Sequence, residues 1–409
     1  MENVKASAFS QNEACGGFES GEYHSNAVHP VNTNWTRQSR FAGPNNSNEV
    51  KEIVFPDMTV ESSIVVDEQE ILYFTGDNGV LYAVSSEGTL IWEMNIGLKS
   101  KTPVISRDGK IILGTSDTNS SNNKIMFIDR GGKTEQEVLV HDAVNHPPVL
   151  TQQGMLLAVL NGNKLCAFNK EGVLLWTFQR NAQFWCAPTM AANGVILIGC
   201  NDEYLYCLDI QGHLLWSRHV GVSNENSNPI IYKDGSIIIN ASIEKLRLIA
   251  LDEKGNTRWE YKPDEGIVLT TPALSCQSNL YFFANFFRVM ATDINGNYLW
   301  AARIEGYPIS PPIVDSEGIV YACTSINESG NKRISRITAI HNNGATKWLH
   351  KLKGEITEPV LLHKKLCVLS NNYSKNYAKK AAILSIIGDK KDRIDAIQAK
   401  KRGLSKVFG

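Results

Sequence analysis

The sequence has no two adjacent cysteines, no apolar run of membrane-spanning length and almost no net charge. Its 41 basic and 42 acidic residues leave no global field to recruit nucleic acid or an anionic lipid surface. No secretory apolar core follows Met1, because MENVKASAFSQNEACGGFESGEYHSNAVHP is polar throughout, so the chain is expected to stay in the cytoplasm where it is made. No two of the eight cysteines have zinc spacing with histidine partners. Cys166, Cys200, Cys207, Cys323 and Cys367 fall in apolar runs, where a reduced thiol serves as a small filler. GDNG, NGN and NDE resemble pieces of calcium loops, but none has the carboxylate spacing of an EF-hand, so no metal is expected and tight hairpin turns are.

What the chain does have is a ten-residue phrase, seven times over: AVSSEGTLIW, FIDRGGKTEQ, AFNKEGVLLW, CLDIQGHLLW, ALDEKGNTRW, ATDINGNYLW and AIHNNGATKW. Their third residues, Ser85, Asp129, Asn169, Asp209, Asp252, Asp293 and His341, recur with a period in the forties. That period without helical patterning means one four-stranded sheet per repeat. The Asp or Asn followed three residues later by Gly is a turn signature, since the side chain accepts local N–H bonds and glycine tolerates a left-handed backbone. Each phrase except the second, which has Gln136, ends in tryptophan: Trp92, Trp176, Trp216, Trp259, Trp300 and Trp348. Large flat side chains at one place on every outer strand are expected to wedge against the neighbouring sheet.

Apolar runs such as MLLAVLNG, VILIGC and LYFFAN precede the phrases and read as strands. Before each lies a proline, at Pro103, Pro148, Pro188, Pro229, Pro272, Pro312 and Pro359, with Ser63 in the place of a first copy. Proline belongs on an edge strand, as the innermost strand of a blade is. Eight innermost strands against seven outer ones leave one outer strand missing. The last copy, AILSIIGD, has Ser385 and Gly388 at the turn spacing and then passes into a helical pattern. NEVKEIVFP, residues 48 to 56, stands where an outer strand should end, and closing the ring with it leaves no open seam. The expected fold is all-β: an eight-bladed propeller at 48–388, with a flexible polar segment at 1–47 and a basic helix at 389–409. Deleting residues 1 to 40 should then be tolerated, and deleting 1 to 56 should not.

The phrase ALDEKGNTRW with its preceding strands and S/T-x-P start resembles the PQQ-binding-like repeats of quinoprotein alcohol dehydrogenase-like propellers, over about residues 48 to 388. NWTRQSRFAGPNNS also resembles the W-x-x-F-x-G lead-in common before their first blade. That family holds pyrroloquinoline quinone dehydrogenases and non-enzymatic members, including a propeller lipoprotein of the bacterial outer-membrane assembly machinery. The resemblance implies, for an enzyme, a quinone stacked between a tryptophan and a disulfide of adjacent cysteines, with Ca²⁺ and an Asp base. This chain lacks the adjacent cysteines, so no cofactor and no catalytic residue is assigned.

The leading reading is a monomeric scaffold that binds a protein or small ligand around the channel mouth. The alternative is an enzyme at that mouth, either a divergent quinone dehydrogenase or a propeller lyase or cyclase. Candidate binding residues come from the segments joining one blade to the next: Glu61, Lys101, His146, Phe184, Trp185, Asn226, Tyr307 and Glu358. Trp185 stands outside the outer-strand column, and aromatic residues near an Arg are enriched in binding hot spots. Plugging of the channel mouth by Phe184 and Trp185 is the competing explanation. Glu61, Lys101 and His146 form a possible charged arc.

Overall fold

A computed structural model describes residues 37–388, apart from 107, 118, 120, 152–153, 192, 222–227, 243–245, 263–267, 269, 285–286, 329–331 and 374–379. The basic segment expected as a helix at 389–409 lies outside the described residues, as does Asn226. Eight antiparallel sheets follow one another along the chain. Blade one holds Val65–Val66, Leu72–Thr75, Val80–Val84 and Leu90–Asn95, and blades two to six repeat that order up to Arg303. Blades seven and eight gain a short fifth strand from the segment leading into them, Tyr307–Pro308 and Glu355–Ile356. In blades one and three the second and third strands are almost wholly buried and the fourth alternates between exposed and half-buried.

The two repeated columns form one device. Asp129, Asp209, Asp252 and Asp293 accept N–H bonds of 2.8 Å from the residue four further on, and the glycine one place earlier takes a φ near +80°. The tryptophan of the preceding blade lies flat on that glycine: a Cβ at Gly212 would come within 2.6 Å of the Trp176 ring, and one at Gly255 within 3.0 Å of Trp216. The indole N–H then donates to the carbonyl two residues before the glycine, from Trp92 to Arg130 (2.8 Å), Trp176 to Ile210 (3.0 Å), Trp216 to Glu253 (2.8 Å) and Trp300 to Asn342 (2.6 Å). Trp259 lies on Gly296 in the same way. Where Gln136 replaces tryptophan, Val138 and Gln136 cover Gly172 instead.

Glu49–Pro56 closes the ring. It pairs antiparallel along its whole length with Lys380–Gly388, from Glu49 opposite Gly388 to Pro56 opposite Ala381. Its Ile53, together with Ile386, covers Gly88 of blade one, as tryptophans do elsewhere. Ser385 and Gly388 do not form the expected turn. Ser385 sits inside the third strand, opposite Val368 and Glu52, because the fourth strand arrives from the other end of the chain and needs no hairpin.

Residues 37–47, expected to be flexible, are built into the ring. Gln38 pairs in parallel with Val314 on the channel-side edge of blade seven; Ser39 donates to the Val314 carbonyl (2.8 Å) and Val314 to that of Arg37 (3.0 Å). Arg37, Gln38 and Ser39 are all buried. The chain then turns out beneath blades seven and eight, where Gly43 donates to Asp315 (3.0 Å) and Trp348 to the Pro44 carbonyl (3.1 Å). Gly43 is required there, since a Cβ would lie 2.0 Å from the Tyr321 hydroxyl. A deletion to residue 40 removes the Arg37 and Ser39 contacts and is therefore expected to cost stability rather than to be neutral.

The five cysteines expected as fillers, Cys166, Cys200, Cys207, Cys323 and Cys367, are buried free thiols, and so is Cys186.

Candidate functional site

Two faces differ in what the repeat leaves free. One carries the repeated turns described above. The other carries the connectors between blades and the hairpins between second and third strands; it surrounds the channel mouth. Each described connector is pinned by a ladder pairing to the end of its blade's second strand: Val60 to Gly76, Ser100 to Thr115, Val144 to Leu160, Phe184 to Cys200 and Val268 to Ala284.

That pinning settles where the candidates sit. Phe184 is itself a ladder residue, buried at 3% exposure and stacked on Phe178. Trp185 is also 3% exposed and fills a slot left by Gly199, where a Cβ would lie 2.1 Å from the indole. Neither offers a surface to a partner. Both pack within core clusters of the blades, and no contact places either as a plug of the channel mouth among the described residues. Glu61 is exposed and Lys101 half-buried. Tyr307 is 56% exposed, its ring 6.1 Å from that of Phe287, itself 48% exposed. The candidates are thus dispersed around the mouth rather than gathered in one constellation.

His146 stitches blades three and four, with Nε2 3.0 Å from the Phe184 carbonyl. Burial, reinforced by the Lys101 charge, lowers its pKa from 6.5 to about 4 despite that bond. The unfolded chain takes up a proton as pH falls through 6.5 while the folded one resists until about 4, so stability falls across that window and then levels off. We expect His146→Gln to flatten this decline by about 2–3 kcal/mol, measured as denaturant midpoints between pH 7 and 4. Glu61 is not among the groups that perturb His146, so the expected arc reduces to Lys101 and His146.

Glu358 holds the channel end of the leading segment, its Oε1 3.2 Å from Arg37 Nε. Burial raises its pKa and the Arg37 guanidinium opposes the rise. Sequence reasoning named Glu358 as a binding candidate, without its partner Arg37, whose polar surroundings read as a loose terminus. Nor did it single out Arg288 and Arg303, which are register partners in blade six.

The fit of the family's quinone can be tested on these residues. The channel edge of blade seven is covered by Arg37–Ser39, and no group of three His, Cys, Asp or Glu that could hold a metal occurs among the described residues. The adjacent cysteines that the resemblance implies on one face of the quinone are absent from the sequence. No described helix is long and apolar enough to cross a membrane.

Residues 77–230 and 185–382 match the profile of the family described as outer membrane protein assembly factor BamB. Among solved structures, the fold is similar to BamB from Moraxella catarrhalis (TM-score 0.62, 14% identity, 83% of this chain and 98% of that one). It is also similar to a europium-containing methanol dehydrogenase (0.60, 11%, 87% and 97%) and to the C-terminal WD40 domain of Sif2 (0.59, 13%, 83% and 99%). Those identities speak to fold alone. Among curated proteins, none matches the sequence.

Proposed function

Taking as premise that the chain belongs to the family of outer membrane protein assembly factor BamB, we propose that it is a non-catalytic, monomeric platform that docks another protein on the connector face. One observation supports this reading: the repeated turn recurs in blades one to seven, whereas the hairpins on the connector face differ in length from blade to blade. The paired second and third strands of blades one to six are four to six residues long, whereas those of blades seven and eight, Val320–Glu328 with Lys332–Ile340 and Lys365–Tyr373 with Lys380–Gly388, have nine each and project on the connector side. Tyr204, Phe287, Tyr307 and Tyr373 are exposed on that same side. Repetition serves the ring; what departs from it, on exposed loops, is free to serve a partner.

The dehydrogenase among the structural relatives makes quinone chemistry the reading to test against. Purified protein mixed with pyrroloquinoline quinone and Ca²⁺ is expected to show neither stoichiometric quinone absorbance after desalting nor dye-linked alcohol oxidation. Sustained turnover would overturn the platform reading.

A further inference from the structure

At the connector rim of blade six, Arg288 opens the third strand and Arg303 ends the fourth, and the two are direct register partners, both exposed. Cross-strand partners lie about 5 Å apart at Cβ, so two like charges there are destabilising. Neither forms an ion pair among the described residues. Other blades treat cations at this rim differently. Lys124 pairs with Glu137 (2.6 Å), Lys164 with Asp142 (2.9 Å) and Arg247 with Glu260 (2.9 Å). Beside the two arginines stands the exposed pair Phe287 and Tyr307, held together by the Ile304 N–H bond to the Phe287 carbonyl (2.8 Å) and by the turn at Gly306. Gly306 has φ +96°, and a Cβ there would lie 2.6 Å from the Ser325 carbonyl oxygen, so only glycine brings Tyr307 back over Phe287. The nearest carboxylate along the chain, Glu305, is held by Arg336 at 2.6 Å.

We propose that Arg288, Arg303, Phe287 and Tyr307 form the docking site for an acidic segment of a protein partner that carries apolar side chains between its carboxylates. This rests on the platform reading above and gives it a place and a chemistry. An arriving carboxylate removes the repulsion between the arginines and bonds to their planar N–H groups, and an apolar side chain covers the aromatic pair. The net charge of −1 and the presence of only two unpaired cations here favour a protein segment over a polyanion.

The test uses the full chain and three fluorescent probes: a ten-residue peptide alternating Glu and Leu, its Lys/Leu counterpart, and a ten-nucleotide single-stranded DNA. By anisotropy, the Glu/Leu peptide is expected to bind, and Arg288→Glu with Arg303→Glu to weaken it about 30-fold, while the Lys/Leu peptide binds only that variant. Because reversal can disturb the sheet, Arg303→Gln is melted in parallel. Relief of the like-charge pair should raise its melting temperature by about 1–2 °C while peptide affinity falls. Equal peptide binding by parent and double variant, tighter binding of the DNA through the same arginines, or a lower melting temperature for Arg303→Gln would each overturn the assignment. If it fails while a partner still cross-links at Tyr373, the platform reading stands and only this site is wrong.

Discussion

A chain beginning at residue 57 is expected to aggregate, one beginning at residue 37 to fold as a monomer, and one beginning at residue 45 to fold with about 3–5 kcal/mol less stability. The first loses Glu49–Pro56, which leaves the third strand of blade eight as an open edge and uncovers Gly88 at the seam. The intermediate truncation keeps that strand but removes Arg37, and with it the charge opposite the buried Glu358 carboxylate. Breaking a buried pair from one side is costly because the remaining charge is uncompensated. It also removes the carbonyl that accepts the Trp348 indole N–H. Size-exclusion profiles and denaturant midpoints on the three proteins check the order. Equal stability from residues 37 and 45 would show that the leading segment does not hold the ring.

Trp185→Ala is expected to cost about 3–5 kcal/mol, more than the about 2 kcal/mol expected for Trp216→Ala. The contrast comes from burial, since Trp185 is 3% exposed in an apolar cluster with Leu197, Leu205 and Ile239, whereas Trp216 is half-buried at the rim. The Trp185 Nε1 has no hydrogen-bond partner among the described residues, so Trp185→Phe should cost less than Trp185→Ala, an order readable directly from paired denaturant titrations. If Trp216→Ala proves the more damaging, Trp185 is not core.

The blade count, the turn glycines, the tryptophan wedge and the closing strand were all legible because each is a local signal repeated at fixed spacing. Even the exception at Gln136 is resolved by its own strand, through Val138. Trp185 was misplaced because its slot is formed by the absence of a side chain at Gly199, and a glycine within VILIGC gives no sign of which residue it faces. The leading segment was misread because polar composition resembles disorder. Its order comes from Val314 and Glu358, hundreds of residues away. Arg288 and Arg303 look unremarkable fifteen positions apart in sequence, and only the register, shifted by the bulge between Ala291 and Thr292, sets one against the other.

The measurement that bears most directly on the platform reading is site-specific photo-cross-linking in the cells from which the chain comes, with a benzophenone residue placed in turn at Tyr307, Tyr373, Glu253 and Asn295. The first two are on the connector face and the others on the repeated turns. A discrete protein adduct at Tyr307 or Tyr373, absent at Glu253 and Asn295, is the predicted result. Adducts confined to the turn face would contradict it.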